Sequence, residues 1–205
     1  MGTKIKICGI TNVKDAMISA EYGADAIGFI FASSMRMISP EKAKEIIKKI
    51  PRTVKTVGVF KDAPVKDVNE IVKFTGIDGV QLHGSESPEY CRLIRNAFVI
   101  KRLKIDNDTN YENIEAEIKK YNVSAYLFDP GEGSGKVFEW NLLKGVKGPI
   151  IVAGGLNADN VKDVIRLLSP YGVDICSGVE KEIGKKDPLK IKRFIQEVRR
   201  CSSPV

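Results

Sequence analysis

The sequence predicts an α/β fold, a single-domain (β/α)8 TIM barrel over residues 1–200 with a loose tail at residues 201–205. Eight short apolar runs, most of them rich in Val and Ile, alternate with helical patterns along the chain. Most of these runs are continuous rather than alternating, which is typical of strands covered on both faces in a parallel sheet. The length of 205 residues matches the lower size limit of such a barrel.

The predicted strands are the eight apolar runs, taken in chain order. They occupy residues 5–10, 26–31, 56–60, 79–83, 98–103, 125–129, 150–154 and 173–177. A doubly wound open sheet built from the same strands is the alternative to a closed barrel.

Helix start and stop signals fill the intervals between the strands. The first helix follows an i, i+3, i+4, i+7 pattern of apolar residues from Val13, and Gly23 is its expected stop. The later helices begin at Ser39-Pro40, Pro64, Ser87-Pro88, Tyr111, Asn157 (as the cap) and Asp187-Pro188. The interval after the sixth strand is the weakest, because residues 131–135 form a glycine-rich loop and only residues 140–144 have a helical pattern.

Composition and charge exclude several classes of partner. The net charge is +7, but Lys and Arg are spread over every segment and form no basic stripe interleaved with aromatics, so we expect no nucleic-acid partner. No apolar run approaches the roughly 18 residues of a membrane helix, and the N-terminus has no apolar signal segment. We therefore expect a cytoplasmic protein without a membrane partner.

The cysteines and the one histidine argue against a metal site. None of the four cysteines forms a CxxC pair, and the ligand clusters that hold zinc are missing. We expect neither a metal nor another cofactor. The segment Gly131-Glu132-Gly133-Ser134-Gly135-Lys136 resembles a nucleotide-binding loop, but its glycine spacing is one residue short and Val137 replaces the Ser or Thr that binds magnesium.

Two candidate catalytic residues end predicted strands. In a barrel, chemistry takes place at the carboxyl ends of the strands, where Cys8 ends the first strand and Asp129 ends the sixth. These strands are three steps apart in a ring of eight, so the two side chains would face each other across the mouth as a base and an acid. The alternatives are a small buried hydrophobic residue for Cys8 and a loop cap for Asp129.

Two glycine-containing loops predict a phosphate site. Gly154-Gly155-Leu156-Asn157 follows the seventh strand and Ser177-Gly178-Val179-Glu180 follows the eighth. Glycines at these places let backbone N–H groups approach an anion, as in the phosphate site of many barrels. The alternative is that they are ordinary turn glycines.

Three further polar residues lie at or near the predicted mouth. Arg36, in the loop after the second strand, is a candidate for bidentate binding of a carboxylate. His83 ends the fourth strand and is a candidate substrate contact. Asp174 lies inside the eighth strand, where a carboxylate needs a partner, so it either lines the mouth or closes a buried ion pair.

Several motifs, in order from about residue 4 to residue 195, resemble the phosphoribosylanthranilate isomerase family. They are Lys6-Ile7-Cys8-Gly9-Ile10-Thr11, Gly28-Phe29-Ile30-Phe31, Ser34-Met35-Arg36, Val57-Gly58-Val59-Phe60, Gln81-Leu82-His83-Gly84, Gly133-Ser134-Gly135-Lys136, Ala153-Gly154-Gly155-Leu156-Asn157 and Ser177-Gly178-Val179-Glu180. The sequence departs from the family pattern at Met35, where Pro or Lys is usual, and at Pro130, where Thr is usual. Neither departure removes a group that does chemistry.

The resemblance implies an isomerase of tryptophan biosynthesis. It would convert N-(5-phosphoribosyl)anthranilate to 1-(2-carboxyphenylamino)-1-deoxyribulose 5-phosphate by an Amadori rearrangement, without a cofactor. The resemblance makes Cys8 the general base and Asp129 the general acid, with the anthranilate carboxylate on Arg36 and with His83 and Asp174 shaping the remaining contacts. The substrate phosphate would bind at Gly154, Gly155, Asn157, Ser177 and Gly178.

Other functions stay open at this point. Another phosphosugar barrel enzyme is one alternative, either a histidine-pathway aminoaldose isomerase or an indole-glycerol-phosphate synthase, for which Lys101 or Lys104 would supply the catalytic lysine. A non-catalytic binding barrel is the other. The expected partner is a small phosphorylated substrate, and the sequence is compatible with a monomer or a homodimer.

Overall fold

The computed structural model describes residues 2–105, 108–131 and 138–202, and its centre is a closed barrel of eight parallel strands. The strands are hydrogen-bonded in sequence order, and β1 closes the ring against β8 with Lys6 opposite Asp174 and Ile7 opposite Ile175. The predicted (β/α)8 barrel is confirmed. The strands are β1 Lys4–Ile7, β2 Ala26–Ile30, β3 Lys55–Phe60, β4 Gly79–Leu82, β5 Phe98–Lys104, β6 Ala125–Asp129, β7 Ile150–Val152 and β8 Gly172–Ile175.

Helices cover the outer face of the barrel. They are α1 Val13–Glu21, α2 Pro40–Ile47, α3 Val65–Thr75, α4 Pro88–Arg92, α5 Tyr111–Ile118, α6 Val161–Leu168 and α7 Pro188–Ser202. Within the residues described after β6, the chain forms a 3-10 helix, Trp140–Leu143, in the interval where the sequence predicted the weakest helix. A short antiparallel hairpin that the sequence did not predict follows β8, with β9 Glu180–Glu182 and β10 Lys185–Lys186.

Side-chain caps begin several helices at the predicted places. Ser39 and Ser87 each accept a hydrogen bond from the backbone N–H three residues later, and Gly23 follows α1 with a φ of +99°. The predicted cap of α6 is wrong by three residues. The cap residue is Asn160, whereas the side chain of Asn157 accepts hydrogen bonds from the backbone of Asp159 and Asn160 in the preceding turn.

The structure describes the predicted C-terminal tail and the predicted glycine-rich loop only in part. Helix α7 extends to Ser202, so Cys201 and Ser202 belong to a helix rather than to the predicted loose tail. Residues 203–205, and residues 132–137 of the glycine-rich loop, lie outside the described residues. Within the described residues, no helix is both long and apolar enough to cross a membrane.

The strand period decides which side chains enter the barrel. On β6, Ala125 and Leu127 pack inside the barrel, whereas Tyr126 and Phe128 join the larger core between the strands and the helices. On β1, Ile5 and Ile7 belong to that outer core, so the alternation directs Lys6 and Cys8 inward. The same alternation directs Asp129 inward at the end of β6, and it directs Asp174 inward on β8 because Val173 and Ile175 belong to the outer core.

Candidate active site

A cavity of about 320 Å³ lies at the carboxyl ends of the strands. Almost all of the predicted site residues line it, namely Cys8, Arg36, His83, Asp129, Gly154, Gly155, Asp174, Ser177 and Gly178. A second cavity of about 780 Å³ adjoins it on the side of β4 to β6 and shares Lys61, His83 and Gly131 with it. We call the first cavity, which the candidate catalytic residues line, the active-site cavity.

Cys8 lies at the wall formed by β1. Its backbone N–H donates to the carbonyl of Ile175 over 2.8 Å, which continues the β1–β8 ladder beyond the last residue of the strand. The side chain is 6% exposed, and burial raises the pKa of the thiol to about 12, although the Lys6 ammonium lowers it. Cys8 is therefore a thiol in the resting protein.

A buried ion pair lies directly below Cys8. Nζ of Lys6 is 2.8 Å from Oδ2 of Asp174, and both side chains are almost fully buried. Burial opposes the ammonium form of Lys6, but Asp174 and Cys8 together hold its pKa above the usual range. Asp174 fulfils both expectations from the sequence, because it closes a buried ion pair and also lines the cavity. Its second oxygen, Oδ1, is buried and accepts no hydrogen bond from the described residues.

Asp129 lies across the cavity from Cys8, at the end of β6. Burial raises the pKa of its carboxyl group, against the hydrogen bond that Oδ1 accepts from the backbone N–H of Gly131 over 2.8 Å. The charge of Arg102 also lowers this pKa, while that of Asp174 raises it. A raised carboxyl pKa is what a proton donor needs near neutral pH.

Arg36 enters the cavity from the loop after β2, with its guanidinium clamped by Glu180. Nε donates to Oε1 over 2.9 Å and Nη2 donates to Oε2 over 2.7 Å, which is a bidentate pair. The Glu180 carboxylate raises the pKa of Arg36 further, so the guanidinium stays charged. Oε1 of Glu180 also accepts from Nζ of Lys186 over 3.0 Å.

Glu180 and Lys186 are functional candidates that the sequence reasoning did not assign. They lie on the hairpin β9–β10, and Lys186 is fully buried with a second hydrogen bond to the carbonyl of Cys176 over 3.0 Å. Glu180 belongs to the Ser177–Glu180 motif, which was a signal for it. No signal in the sequence indicated that Lys186 pairs with Glu180.

The two glycine loops meet at the cavity. Gly154 and Gly155 have φ angles of +85° and +62°, a conformation that glycine adopts without strain. A Cβ on Gly178 would lie 2.1 Å from the carbonyl oxygen of Leu156, so only glycine lets the two loops approach this closely. The loops after β7 and β8 thus form one wall, where backbone N–H groups can surround an anion.

His83 and Asn157 differ in their placement. His83 lines the cavity, and its Nδ1 lies 3.3 Å from Nε2 of Gln81, a residue of the same inner face of β4. Asn157 is not among the residues that line the cavity, because its side chain is used by the turn before α6. The role of Asn157 in phosphate binding stays a prediction, and its side-chain oxygen is occupied by the backbone N–H groups of Asp159 and Asn160.

A metal has no ready place in the described part of the chain. In residues 2–105, 108–131 and 138–202, no three His, Cys, Asp or Glu side chains form a group that would hold a metal ion. The absence of a cofactor stays an expectation. The groups that the cavity does offer are a thiol, a carboxyl group with a raised pKa, a clamped guanidinium and a wall of two glycine-containing loops.

Comparisons with known proteins agree with this arrangement. The family model described as N-(5'phosphoribosyl)anthranilate (PRA) isomerase matches residues 5–197. A curated relative from Pelobacter propionicus, N-(5'-phosphoribosyl)anthranilate isomerase, is 41% identical over 208 residues, which cover 98% of this chain and 97% of the relative.

Solved structures of the same kind superpose on almost the whole chain. A phosphoribosyl anthranilate isomerase in complex with reduced 1-(o-carboxyphenylamino)-1-deoxyribulose 5-phosphate has a TM-score of 0.86 and 36% identity, covering 97% of this chain and 99% of that chain. A structure of monomers generated from the dimeric enzyme of Thermotoga maritima gives the same TM-score, identity and coverage. The resemblance in the motifs is confirmed, and the chain belongs to the N-(5'-phosphoribosyl)anthranilate isomerase family.

Proposed function

We propose that this protein converts N-(5-phosphoribosyl)anthranilate to 1-(2-carboxyphenylamino)-1-deoxyribulose 5-phosphate, an isomerisation in tryptophan biosynthesis. One observation carries the proposal: Cys8 and Asp129 lie on opposite walls of one cavity whose third wall is the glycine-lined anion site. Such a cavity fits a phosphorylated sugar that needs an acid on one side and a base on the other. Family membership supports the same reaction.

Ring opening is the first step that the geometry explains. The furanose ring oxygen needs a proton before its bond to C1 breaks, and Asp129 is the donor because burial raises the pKa of its carboxyl group. The electron pair of the nitrogen forms a C=N bond as the ring opens. The product of this step is a cationic Schiff base, and Asp129 is left as a carboxylate.

Proton removal from C2 is the second step. The positive charge on the Schiff base acidifies the C2 hydrogen, and the Cys8 thiolate removes it to give an aminoenol. In the final tautomerisation C1 gains a proton from the Cys8 thiol and the C2 oxygen loses one to the Asp129 carboxylate, directly or through water. Both residues return to their starting forms, and the product is an isomer of the substrate. No electron leaves the substrate, and no redox partner is required.

The substrate is anionic at both ends, and the cavity offers a cationic or donor group for each. The phosphate would bind the backbone of Gly154, Gly155, Ser177 and Gly178, which meet at one wall. The anthranilate carboxylate would bind Arg36, whose Nη1 side is not used by the bidentate bonds to Glu180. His83 and Asp174 would contact the remaining polar groups of the substrate.

The alternative of an indole-glycerol-phosphate synthase receives no support from Lys101 on β5. Nζ of Lys101 is 2.7 Å from Oε2 of Glu86 and 2.6 Å from the carbonyl oxygen of Gly84, and the pair is buried. A lysine held in this way is a structural cation rather than a catalytic acid. The histidine-pathway aminoaldose is a second substrate to assay beside the first one.

The test of the proposed function is a substitution series at the cysteines. Replacing Cys8 by Ser removes the base, so we expect kcat/KM with phosphoribosylanthranilate to fall by about 10² to 10⁴-fold while the far-ultraviolet circular dichroism is unchanged. Cys91→Ser is the matched control, because Cys91 is buried in α4 and does not line the cavity. Near wild-type turnover by Cys8→Ser would contradict the assignment of the base.

Location and assembly are part of the proposal. We place the enzyme in the cytoplasm as a monomer or a homodimer, without a nucleic-acid or membrane partner. A relative from Thermotoga maritima is described as dimeric, which supports the second of the two states. Light scattering at two protein concentrations decides between one and two chains of 22.6 kDa, and a larger particle would contradict both.

A further inference from the structure

The proposed base has a cation directly beside it. A Cβ on Gly28 would lie 2.8 Å from Sγ of Cys8 and 3.1 Å from Nζ of Lys6, so both atoms border the same methyl-sized space above β2. Nζ and Sγ are therefore less than about 6 Å apart, within the range at which a charge alters the ionisation of its neighbour. Cys8 directly follows β1 and is two residues from Lys6, so the alternation of the strand places both side chains on the same inner face.

The cation is fixed in place by its ion pair. The Lys6 side chain reaches Oδ2 of Asp174 over 2.8 Å across the β1–β8 junction that closes the barrel. Both groups are almost fully buried, so water does not screen their charges. A buried lysine without such a partner would tend to lose its proton, and Asp174 prevents this.

We propose that Lys6 is the positioning residue of the base: its ammonium group, kept charged by Asp174, stabilises the thiolate form of Cys8 that removes the C2 proton. The inference rests on the role of Cys8 in the proposed function. It assigns a purpose to Lys6, the member of the buried ion pair to which the reaction scheme gives no role. It also explains the glycine at position 28, because a side chain there would separate Nζ from Sγ.

Other charges around Cys8 do not replace Lys6. Asp174 on β8 and Cys176, directly after that strand, both disfavour the thiolate, and β2 presents Gly28 at this level. Arg36 interacts with Cys8 from the loop after β2, but its guanidinium is committed to Glu180 by two hydrogen bonds. Lys6 is the residue whose charge and hydrogen bond both lower the pKa of Cys8.

The test measures the thiolate without using the isomerase reaction. Iodoacetamide alkylates the thiolate form of a cysteine, so its rate at a pH below the thiol pKa follows the thiolate fraction. Mass spectrometry of the peptide that contains Cys8 gives the rate for this cysteine alone. We expect Lys6→Met to lower this rate about tenfold or more, since one pKa unit changes the thiolate fraction tenfold.

A double variant separates the proposal from a purely structural role. If Lys6 only neutralised Asp174, then Lys6→Met combined with Asp174→Asn would restore the alkylation rate of Cys8 to the wild-type value. The proposal predicts that the rate stays low in the double variant, because the cation is still missing. The double variant also leaves no buried charge unpaired, so it carries the test by itself if Lys6→Met does not fold.

Cys176 provides an internal control in the same samples. Its Sγ lies 3.7 Å from Nζ of Lys186, so its alkylation rate should not fall when Lys6 is replaced. An equal fall at Cys176 and Cys8 would indicate a general loss of access or packing and would overturn the proposal. Isomerase turnover is measured separately, so an inactive protein with the expected alkylation pattern would refute the proposed function and leave the effect of Lys6 on Cys8 established.

Discussion

At the residue scale, the proposed reaction depends on the protonation states of Cys8 and Asp129. Burial raises the pKa of both groups, that of Cys8 to about 12. In the resting protein near neutral pH the proton therefore resides on Cys8, whereas the reaction needs it on Asp129. The productive and the resting forms contain the same number of protons, so the ratio between them does not depend on pH in the interval between the two pKa values.

This equality predicts an unusually broad pH profile. Below the raised pKa of Asp129 both groups are protonated, and kcat/KM should fall tenfold for each unit of decreasing pH. Between that pKa and the Cys8 pKa of about 12, kcat/KM should be flat. Stopped-flow assays from about pH 5 to about pH 10 check this. A narrow bell with a maximum near neutral pH would contradict the wide separation of the two pKa values.

Arg36 and its clamp predict a separate effect on binding. Arg36→Ala removes the proposed carboxylate contact, so KM should rise by about tenfold or more while kcat changes less. Glu180→Gln weakens the hydrogen bonds that orient the guanidinium at 2.7 and 2.9 Å, and we expect a smaller rise in KM of the same kind. Initial rates over a range of substrate concentrations measure both. A fall in kcat alone would instead indicate that Arg36 stabilises the transition state.

The sequence was sufficient to place Cys8 and Asp129 at the barrel mouth, because each lies at the carboxyl end of a strand and these ends meet at the mouth. It was not sufficient for Lys6, since a lysine in a short strand is normally exposed. Its partner Asp174 is 168 residues away, and the two meet only because β1 closes against β8. The two-residue spacing between Lys6 and Cys8 was the signal that places them on one face.

At the element scale, the site depends on how closely the loops after β7 and β8 approach each other. A Cβ on Gly178 would lie only 2.1 Å from the carbonyl oxygen of Leu156. The hairpin β9–β10 then carries Glu180 and Lys186 back to Arg36. The hairpin was absent from the prediction because its two strands have only three and two residues, all of them charged, and show no apolar alternation.

Gly178→Ala should therefore damage the phosphate site more than the fold. The added methyl group meets backbone rather than a movable side chain, so the two loops must separate, at a cost of about 1–3 kcal/mol of unfolding free energy. We expect a higher KM and weaker inhibition by inorganic phosphate. Gly76→Ala is the control, because Gly76 ends α3 with a φ of +75° and open space around it. That variant should lose stability without a change in KM.

At the scale of the whole molecule, barrel closure brings distant segments of sequence into one cavity. The prediction of the fold succeeded because strand composition, helix caps and loop glycines all indicate the same architecture. The cap of α6 was predicted at Asn157 because that residue is the first cap-forming side chain after the glycines. In the structure, its side-chain oxygen instead accepts hydrogen bonds from the backbone of Asp159 and Asn160, in the turn before the helix. Local signals locate an element, and the tertiary contacts of its end residues decide where it begins.

The net charge of +7 gives a prediction for the molecule as a whole. An anionic substrate is attracted to a cationic protein, and salt screens that attraction over a Debye length of about 10 Å at 0.1 M ionic strength. Raising the salt concentration should lower kcat/KM by increasing KM while kcat stays constant. Sodium chloride titrations at fixed pH measure this, with viscosity matched by a neutral solute. A salt-independent KM would show that the net charge does not assist binding.

The central claim is that Cys8 and Asp129 act on one substrate from opposite walls of the barrel mouth. The most direct test follows the fluorescence of phosphoribosylanthranilate, generated in the cuvette from anthranilate and phosphoribosyl pyrophosphate, with the wild-type protein and with Asp129→Asn. We expect rapid loss of fluorescence with the wild type. With a folded Asp129→Asn protein, the rate of loss should be at least about 10²-fold lower. Equal rates for the two proteins, or no loss with the folded wild type, would contradict it.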